Sequence, residues 1–196
     1  MLNLILVLFA VLAAAVPGMQ LTTAPPADAT VSKMIWRGQI EEGGPEMNFN
    51  GTIQEVVAQI KQIKPDFSLN RTSSASDHLS GKNDGHEVDC WTGGSGTADV
   101  NYINDGIDYL HGISGNCGVS AGNAGTCARI SCSYNSGIWL CSNDGQEVLW
   151  SCHALGDIAQ NDCFSCQGGD GNNAWCQGRE KWDANNFHVD VGSDKC

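Results

Sequence analysis

The distribution of cysteines constrains the fold of this chain more than any other feature. All ten cysteines lie between Cys90 and Cys196, and the first 89 residues contain none. An even number of closely spaced cysteines is typical of a disulfide framework in a protein exported to an oxidising compartment. The sequence therefore predicts disulfide bonding of Cys90, Cys117, Cys127, Cys132, Cys141, Cys152, Cys163, Cys166, Cys176 and Cys196.

A zinc site is the competing interpretation of Cys163 and Cys166, whose spacing is that of half a zinc-binding motif. A second pair at suitable spacing is missing from the sequence. We therefore expect no metal and no other cofactor.

The chain begins with an apolar run from Leu4 to Val16, followed by Pro17 and Gly18. This pattern is typical of a secretory signal peptide, which we place at residues 1–18. The run is shorter than the roughly 20 residues that a transmembrane helix needs, and the sequence has no second apolar run. We expect a secreted, extracellular protein without a membrane anchor.

Acidic residues dominate the charge, which is −12 at neutral pH. From Cys90 onward the basic residues are Arg129, Arg179, Lys181 and Lys195 alone, and they form no basic stripe along the sequence. Nucleic acid and anionic membranes are poor partners for such a chain. We expect a monomer that binds an unknown protein or cell-surface target.

Residues 19–67 predict a small ββα module. Residues 33–40 alternate as a strand, Met47 and Phe49 alternate on a returning strand, and a helix begins with the capping box Thr52 to Glu55 and ends before Pro65. Such a unit is too small to be stable alone. It either docks on the cysteine-rich part or is a propeptide that is removed.

Residues 68–88 are polar, lack apolar periodicity and predict a linker. Asn70 begins a glycosylation sequon in this segment, and Asn50 begins another between the second strand and the helix. Whether either asparagine is modified is left open.

Residues 89–196 predict a cysteine-rich α+β domain. The pattern indicates a strand at 87–91, a helix capped by Thr97, strands at 128–135 and 137–142, a helix at 151–160 and a strand at 186–192. The order β-α-β-β-α-β predicts a disulfide-rich α/β sandwich in which two helices cover an antiparallel sheet.

These residues resemble the killer protein 4-like family, the small secreted killer toxin of a smut fungus and its fungal relatives. The similarity covers most of residues 89–196 and nothing before them. It is carried by Cys90-Trp91-Thr92-Gly93-Gly94-Ser95, Tyr102 to Asp108, Ile130-Ser131-Cys132, Ile138 to Cys141, Cys163 to Gly168, and Phe187 to Val191 before Cys196.

The resemblance implies an α/β sandwich, a Cys90–Cys163 disulfide and a toxin that blocks calcium channels through a basic residue. Arg129 is the only basic residue on a predicted core strand. The chain departs from the family in its acidic surface, in its ββα module, in the lack of a cysteine near Ser95 and in the placement of Cys117, Cys127 and Cys176.

Two groups of residues are candidates for acid–base or metal chemistry. Asp105, Asp108 and His111 are spaced to share one face of the first helix of the cysteine-rich part, opposite its apolar stripe. His188 and Asp190 alternate on one face of the last strand. Both groups also fit solvated surfaces, and no catalytic motif occurs. We therefore predict no catalytic residue and no enzyme.

Four tryptophans are candidates for a carbohydrate or protein contact: Trp139, Trp150, Trp175 and Trp182. Taken together, the sequence predicts a secreted effector or killer-toxin-like protein that binds a target on competing microbes or a host. A small extracellular hydrolase using His188 and Asp190, or a non-toxic cell-wall or matrix protein, are the alternatives.

Overall fold

A computed structural model describes residues 29–70, 86–92 and 96–196 of the chain. The predicted signal peptide at 1–18 and residues 71–85 of the predicted linker lie outside these ranges. Among the described residues there are three α-helices and twelve strands, and none of these helices has the length and apolar character needed to cross a membrane.

The N-terminal elements form where the sequence predicts them. Strand β1 (Thr30–Gln39) pairs antiparallel with β2 (Glu46–Asn50), and helix α1 (Ile53–Ile63) follows. The Thr52 side chain accepts a hydrogen bond from the Glu55 amide, and the Glu55 carboxylate accepts one from the Thr52 amide. The capping box is therefore confirmed, and it fixes the start of α1.

The cysteine-rich part adds two helices and ten strands. They are β3 (His86–Cys90), β4 (Ala98–Asp99), α2 (Val100–Gly112), β5 (Asn116–Val119), β6 (Thr126–Ser133), β7 (Ser136–Ser142), β8 (Val148–Ser151), α3 (Cys152–Ser165), β9 (Gln167–Gly168), β10 (Trp175–Cys176), β11 (Gly178–Trp182) and β12 (Phe187–Ser193).

Most strands join one large sheet in the order β3-β11-β12-β7-β6-β1-β5-β8, with β2 also paired to β1. Only the β1–β6 pair is parallel among these, and β4, β10 and β9 form a small second sheet. The mixed α+β class with a mostly antiparallel sheet is as predicted. The finer β-α-β-β-α-β order is not confirmed, because further strands lie between the predicted elements.

Strand β1 occupies an interior position of this sheet, between β6 and β5. Its Met34 and Trp36 side chains are fully buried, and the Trp36 indole nitrogen donates to the carbonyl of Ser114. Residues 30–63 thus share a core with the cysteine-rich part, so removal of a propeptide containing them would expose that core. The predicted domain boundaries themselves stay a prediction.

The three helices cover one face of the sheet. Ser131 of β6 shows this, because Gln54 of α1 donates to its hydroxyl and Gly106 of α2 lies directly above it. On the same face, Asn161 of α3 donates to Glu180 of β11. The opposite face, called the outer face below, carries the alternate residues of β11, β12 and β7.

Two details differ from the sequence prediction. Helix α2 is capped by Asp99, whose carboxylate accepts from the Asn101 amide, and not by Thr97. Strands β4, β5, β8, β9, β10 and β11 were not predicted. β5 lies in the glycine-rich stretch before Gly125, and β11 has the sequence Gly-Arg-Glu-Lys-Trp, so neither shows an apolar alternation.

Candidate functional site

Five disulfides use all ten cysteines, as predicted. They are Cys90–Cys166, Cys117–Cys152, Cys127–Cys141, Cys132–Cys196 and Cys163–Cys176. The Cys90–Cys163 pairing implied by the family resemblance is therefore wrong. Cys163 lies inside α3 and reaches β10, whereas Cys166 is the C-cap of α3 and reaches the end of β3.

Three exposed aromatic side chains lie beside the Cys90–Cys166 and Cys163–Cys176 disulfides. Trp91 follows Cys90, Phe164 follows Cys163 and Trp175 precedes Cys176, and their exposed fractions are 54%, 79% and 36%. We call these three residues the aromatic surface. Exposed aromatic side chains at fixed positions are typical anchors of binding interfaces.

Trp91 has a backbone conformation that is unusual for a bulky side chain. Its φ angle is 66°, in the left-handed region that bulky side chains rarely occupy. The indole rings of Trp91 and Trp175 lie 5.2 Å apart between centroids. Trp175 in turn lies over Gly168, where a Cβ would come within 2.4 Å of the indole ring. A left-handed backbone also occurs at Tyr134 in the β6–β7 turn, so the conformation of Trp91 does not by itself mark a binding site.

The sequence singled out only Trp175 of this surface. Trp139 is 3% exposed, and Trp150 and Trp182 pack against Phe187 at the core. Trp139 is therefore not a contact residue, and Trp150 and Trp182 present only part of their surface. No sequence signal distinguished Trp91 and Phe164, because a residue next to a cysteine can also be buried, as Leu140 beside Cys141 is.

The predicted pair His188 and Asp190 lies on the outer face, but both side chains are mostly or fully buried beside an ion pair. Asp190 is fully buried and both of its oxygens accept from Arg179, at 2.6 and 2.8 Å. The default expectation that Asp190 faces solvent is therefore wrong. Arg179 on the neighbouring strand supplies the charge that makes burial of this carboxylate possible.

His188 lies beside this ion pair and is mostly buried. Its Nδ1 is 2.6 Å from Oδ1 of Asn143, and its Nε2 is 3.9 Å from Oδ2 of Asp190. Burial lowers the pKa of His188, and the positive charges of Arg179 and Lys181 lower it further against the opposing effect of Asp190. Nε2 is buried and makes no hydrogen bond among the described residues. A hydrolytic base needs an accessible nitrogen, so this arrangement does not favour the hydrolase interpretation.

Asp162 of α3 is a buried carboxyl group that no sequence pattern indicated. It is fully buried beneath Gly178, and neither oxygen has a well-formed hydrogen bond within the described residues. Burial, followed by the negative charges of Asp190 and Glu180, raises the pKa of Asp162 to about 9. Its proton is therefore retained at neutral pH.

The side chains of the predicted group Asp105, Asp108 and His111 do not share one exposed face of α2. Asp105 and Asp108 are exposed, whereas the His111 side chain turns toward α3 and is 20% exposed. There it contacts Asp157 and stacks on His153, with ring centroids 4.5 Å apart. Burial lowers the pKa of His111 despite the opposing charge of Asp157.

Arg129, the basic residue that the family resemblance drew attention to, is held at the C-terminus. Its guanidinium donates to Oδ2 of Asp194 at 3.2 Å and to the carbonyl of Lys195 at 2.8 Å, and it lies over the ring of Trp139. It lines an open groove of about 800 Å³ between β1, α1 and these C-terminal residues. With its charge already paired, Arg129 gives little support to block of a channel by a free cation.

Asn50 and Asn70, the predicted glycosylation sites, are both exposed. The carbonyl of Asn50 accepts from Gln59, and the amide of Asn70 donates to the carbonyl of Gly112. Both side chains thus lie where a glycan would be tolerated, and modification of either one stays a prediction.

Comparisons with protein-family models, with curated proteins and with solved structures found no match to this chain.

Proposed function

We propose that this chain is a secreted, killer-toxin-like effector that binds a target on the surface of a competing microbe or a host through its aromatic surface. The observation that carries the proposal is the placement of Trp91, Phe164 and Trp175 beside two disulfides. The apolar leader at residues 1–18 and the complete pairing of the cysteines support export to an oxidising compartment.

The aromatic surface suits binding because its geometry exists before a partner arrives. Two disulfides fix the backbone next to all three rings, so little conformational entropy remains to be lost on association. Tryptophan is also the residue most often found to dominate binding energy at interfaces. The acidic charge of the chain adds a preference for neutral or basic targets over phosphate-rich ones.

The biological activity is tested with the purified secreted protein, added to cultures of several fungi and to leaves of several plants. We expect growth inhibition or a host response with at least one of them. Saturable binding to fungal wall polysaccharide without any growth effect would favour the matrix-protein alternative. Inactivity and lack of binding in every case would contradict the proposal.

Secretion and processing are tested by intact mass and peptide mapping of the protein recovered from culture medium. We expect cleavage after the apolar leader, no free thiol, and the five disulfides described above. A secreted chain that begins after residue 67 would show that the ββα unit is a propeptide, because Met34 and Trp36 would then be absent from the mature core.

A further inference from the structure

We propose that His111, His153 and Asp157 form a binding site for Zn²⁺ or a divalent transition metal of similar ligand preference. The three side chains lie between α2 and α3, and each presents a ligand atom within 4.8 Å of the other two. Two imidazoles and one carboxylate are a ligand set that zinc sites use, with water as the fourth ligand. The site uses no residue of the aromatic surface.

The separations fit a metal of this size. Nε2 of His111 is 3.0 Å from Oδ1 of Asp157, and Nδ1 of His153 is 3.3 Å from Oδ2 of Asp157. Ligand atoms on a tetrahedral Zn²⁺, with bonds of about 2.0–2.1 Å, lie about 3.3 Å from one another. The two histidines contact different oxygens of Asp157 and their rings stack with planes 29° apart, so the rings must rotate before the three ligand atoms can surround one ion.

The helix pair is built to bring these residues together. His153 and Asp157 are four residues apart on α3, so they share one helix face. His111 comes from the last turn of α2 and crosses α3 at Gly156, where a Cβ would lie 2.6 Å from its imidazole ring. Any larger residue at position 156 would push His111 away from the other two ligands.

A buried histidine nitrogen lies at the site as well. Nε2 of His111 is buried, and its contact among the described residues is Oδ1 of Asp157 at 3.0 Å. Coordination of a metal by both groups would keep this nitrogen satisfied. His153 and Asp157 are 43% and 34% exposed, which leaves an open side where the ion enters and water completes the coordination.

The test is equilibrium dialysis of the full secreted chain, first treated with chelator, against Zn²⁺, with Ca²⁺ as a comparison ion. We expect one Zn²⁺ per chain and no comparable uptake of Ca²⁺, which prefers oxygen ligands. His153→Gln and Asp157→Asn should each weaken Zn²⁺ binding at least about tenfold, since changes even in the residues around a metal's ligands cost that much.

Two matched variants control for surface charge and for loss of a histidine. Asp105→Asn changes an exposed carboxylate on α2, and His86→Gln removes a histidine on β3. Both should bind Zn²⁺ as the unchanged chain does. Absence of saturable Zn²⁺ binding, or equal binding by all variants, would overturn the proposal.

A second readout is independent of affinity. Bound to the chelator-treated chain in place of Zn²⁺, Co²⁺ should give visible absorption of a tetrahedral nitrogen–oxygen site, and the absorption should disappear in His153→Gln. Thermal unfolding in chelator should be alike for the unchanged chain and His153→Gln, whereas Zn²⁺ should raise the unfolding temperature of the unchanged chain alone. An equal rise for both proteins would contradict binding at this site.

Discussion

The indole rings of Trp91 and Trp175 lie 5.2 Å apart with their planes inclined at 56°, although 83 residues separate them in the chain. Trp91 follows Cys90 of the Cys90–Cys166 disulfide, and Trp175 precedes Cys176 of the Cys163–Cys176 disulfide. The two bonds meet at the last turn of α3, which also presents Phe164. The two disulfides, together with the pairing of β10 with β4 and β9, therefore hold this aromatic surface in place.

The unusual backbone conformation at Trp91 predicts that its side chain is not needed for the stability of the fold. Asparagine tolerates the left-handed conformation better than tryptophan, so Trp91→Asn should relieve strain at φ 66°. We expect the free energy of unfolding to stay within about 1 kcal/mol of the unchanged protein or to increase. Urea unfolding with the disulfides intact measures it. A loss of several kcal/mol would mean that Trp91 is a structural residue.

The Cys90–Cys166 disulfide should stabilise the fold more than Cys127–Cys141 does. The first spans 76 residues and the second 14, and a longer loop confines the unfolded chain more strongly. Replacing both cysteines by alanine should lower the free energy of unfolding by about 4.5 kcal/mol for the first pair and about 3 kcal/mol for the second. Denaturant unfolding of the two double variants, compared with the unchanged protein, checks the order. The reverse order would contradict this prediction.

The raised pKa of Asp162 predicts that the free energy of unfolding decreases as the pH rises. Its pKa is about 9 in the fold and about 3.9 in the unfolded chain, so between these values only the folded state holds the proton. The contribution to stability is complete below about pH 4 and is lost as pH rises toward 9, by at most about 1.4 kcal/mol per pH unit. Asp162→Asn removes this titration and should unfold with a flatter dependence on pH.

The comparison is made by urea unfolding from about pH 5 to pH 8, where the carboxyl is protonated only in the folded protein. Asp162→Asn should gain stability relative to the unchanged chain as the pH increases. The stability of the exposed control Asp105→Asn should change with pH as that of the unchanged chain does. Parallel curves for all three proteins would show that Asp162 does not titrate in this way.

The local elements could be predicted from sequence because they depend on neighbouring residues. The capping box at Thr52 and the apolar spacing of α1 specify that helix directly, and the alternation of Phe187, Val189 and Val191 specifies β12. Strand β11 could not be predicted in this way. Its Arg179 and Glu180 are stabilised by Asp190 and by Asn161, partners that only the tertiary fold supplies.

The candidate site was harder to predict for the same reason. Periodicity assigned Asp190 to solvent, but an ion pair with Arg179 on the adjacent strand buries it. His111 was grouped with residues on its own helix, whereas its contacts are His153 and Asp157 on another. Strand pairing and helix crossing determine these contacts, and neither follows from spacing along the chain.

The most direct test of the binding proposal is the attachment of fluorescently labelled protein to the cells that respond to it. Tyr134 is 73% exposed in the β6–β7 turn, is not adjacent in sequence to a cysteine of either disulfide of the aromatic surface, and gives an aromatic control. We predict saturable binding by the unchanged protein and by Tyr134→Ser. Trp91→Asn and Trp175→Ser should each bind about 30-fold more weakly, as expected for loss of about 2 kcal/mol. Equal binding by all four folded proteins would contradict the proposal that the aromatic surface recognises the target.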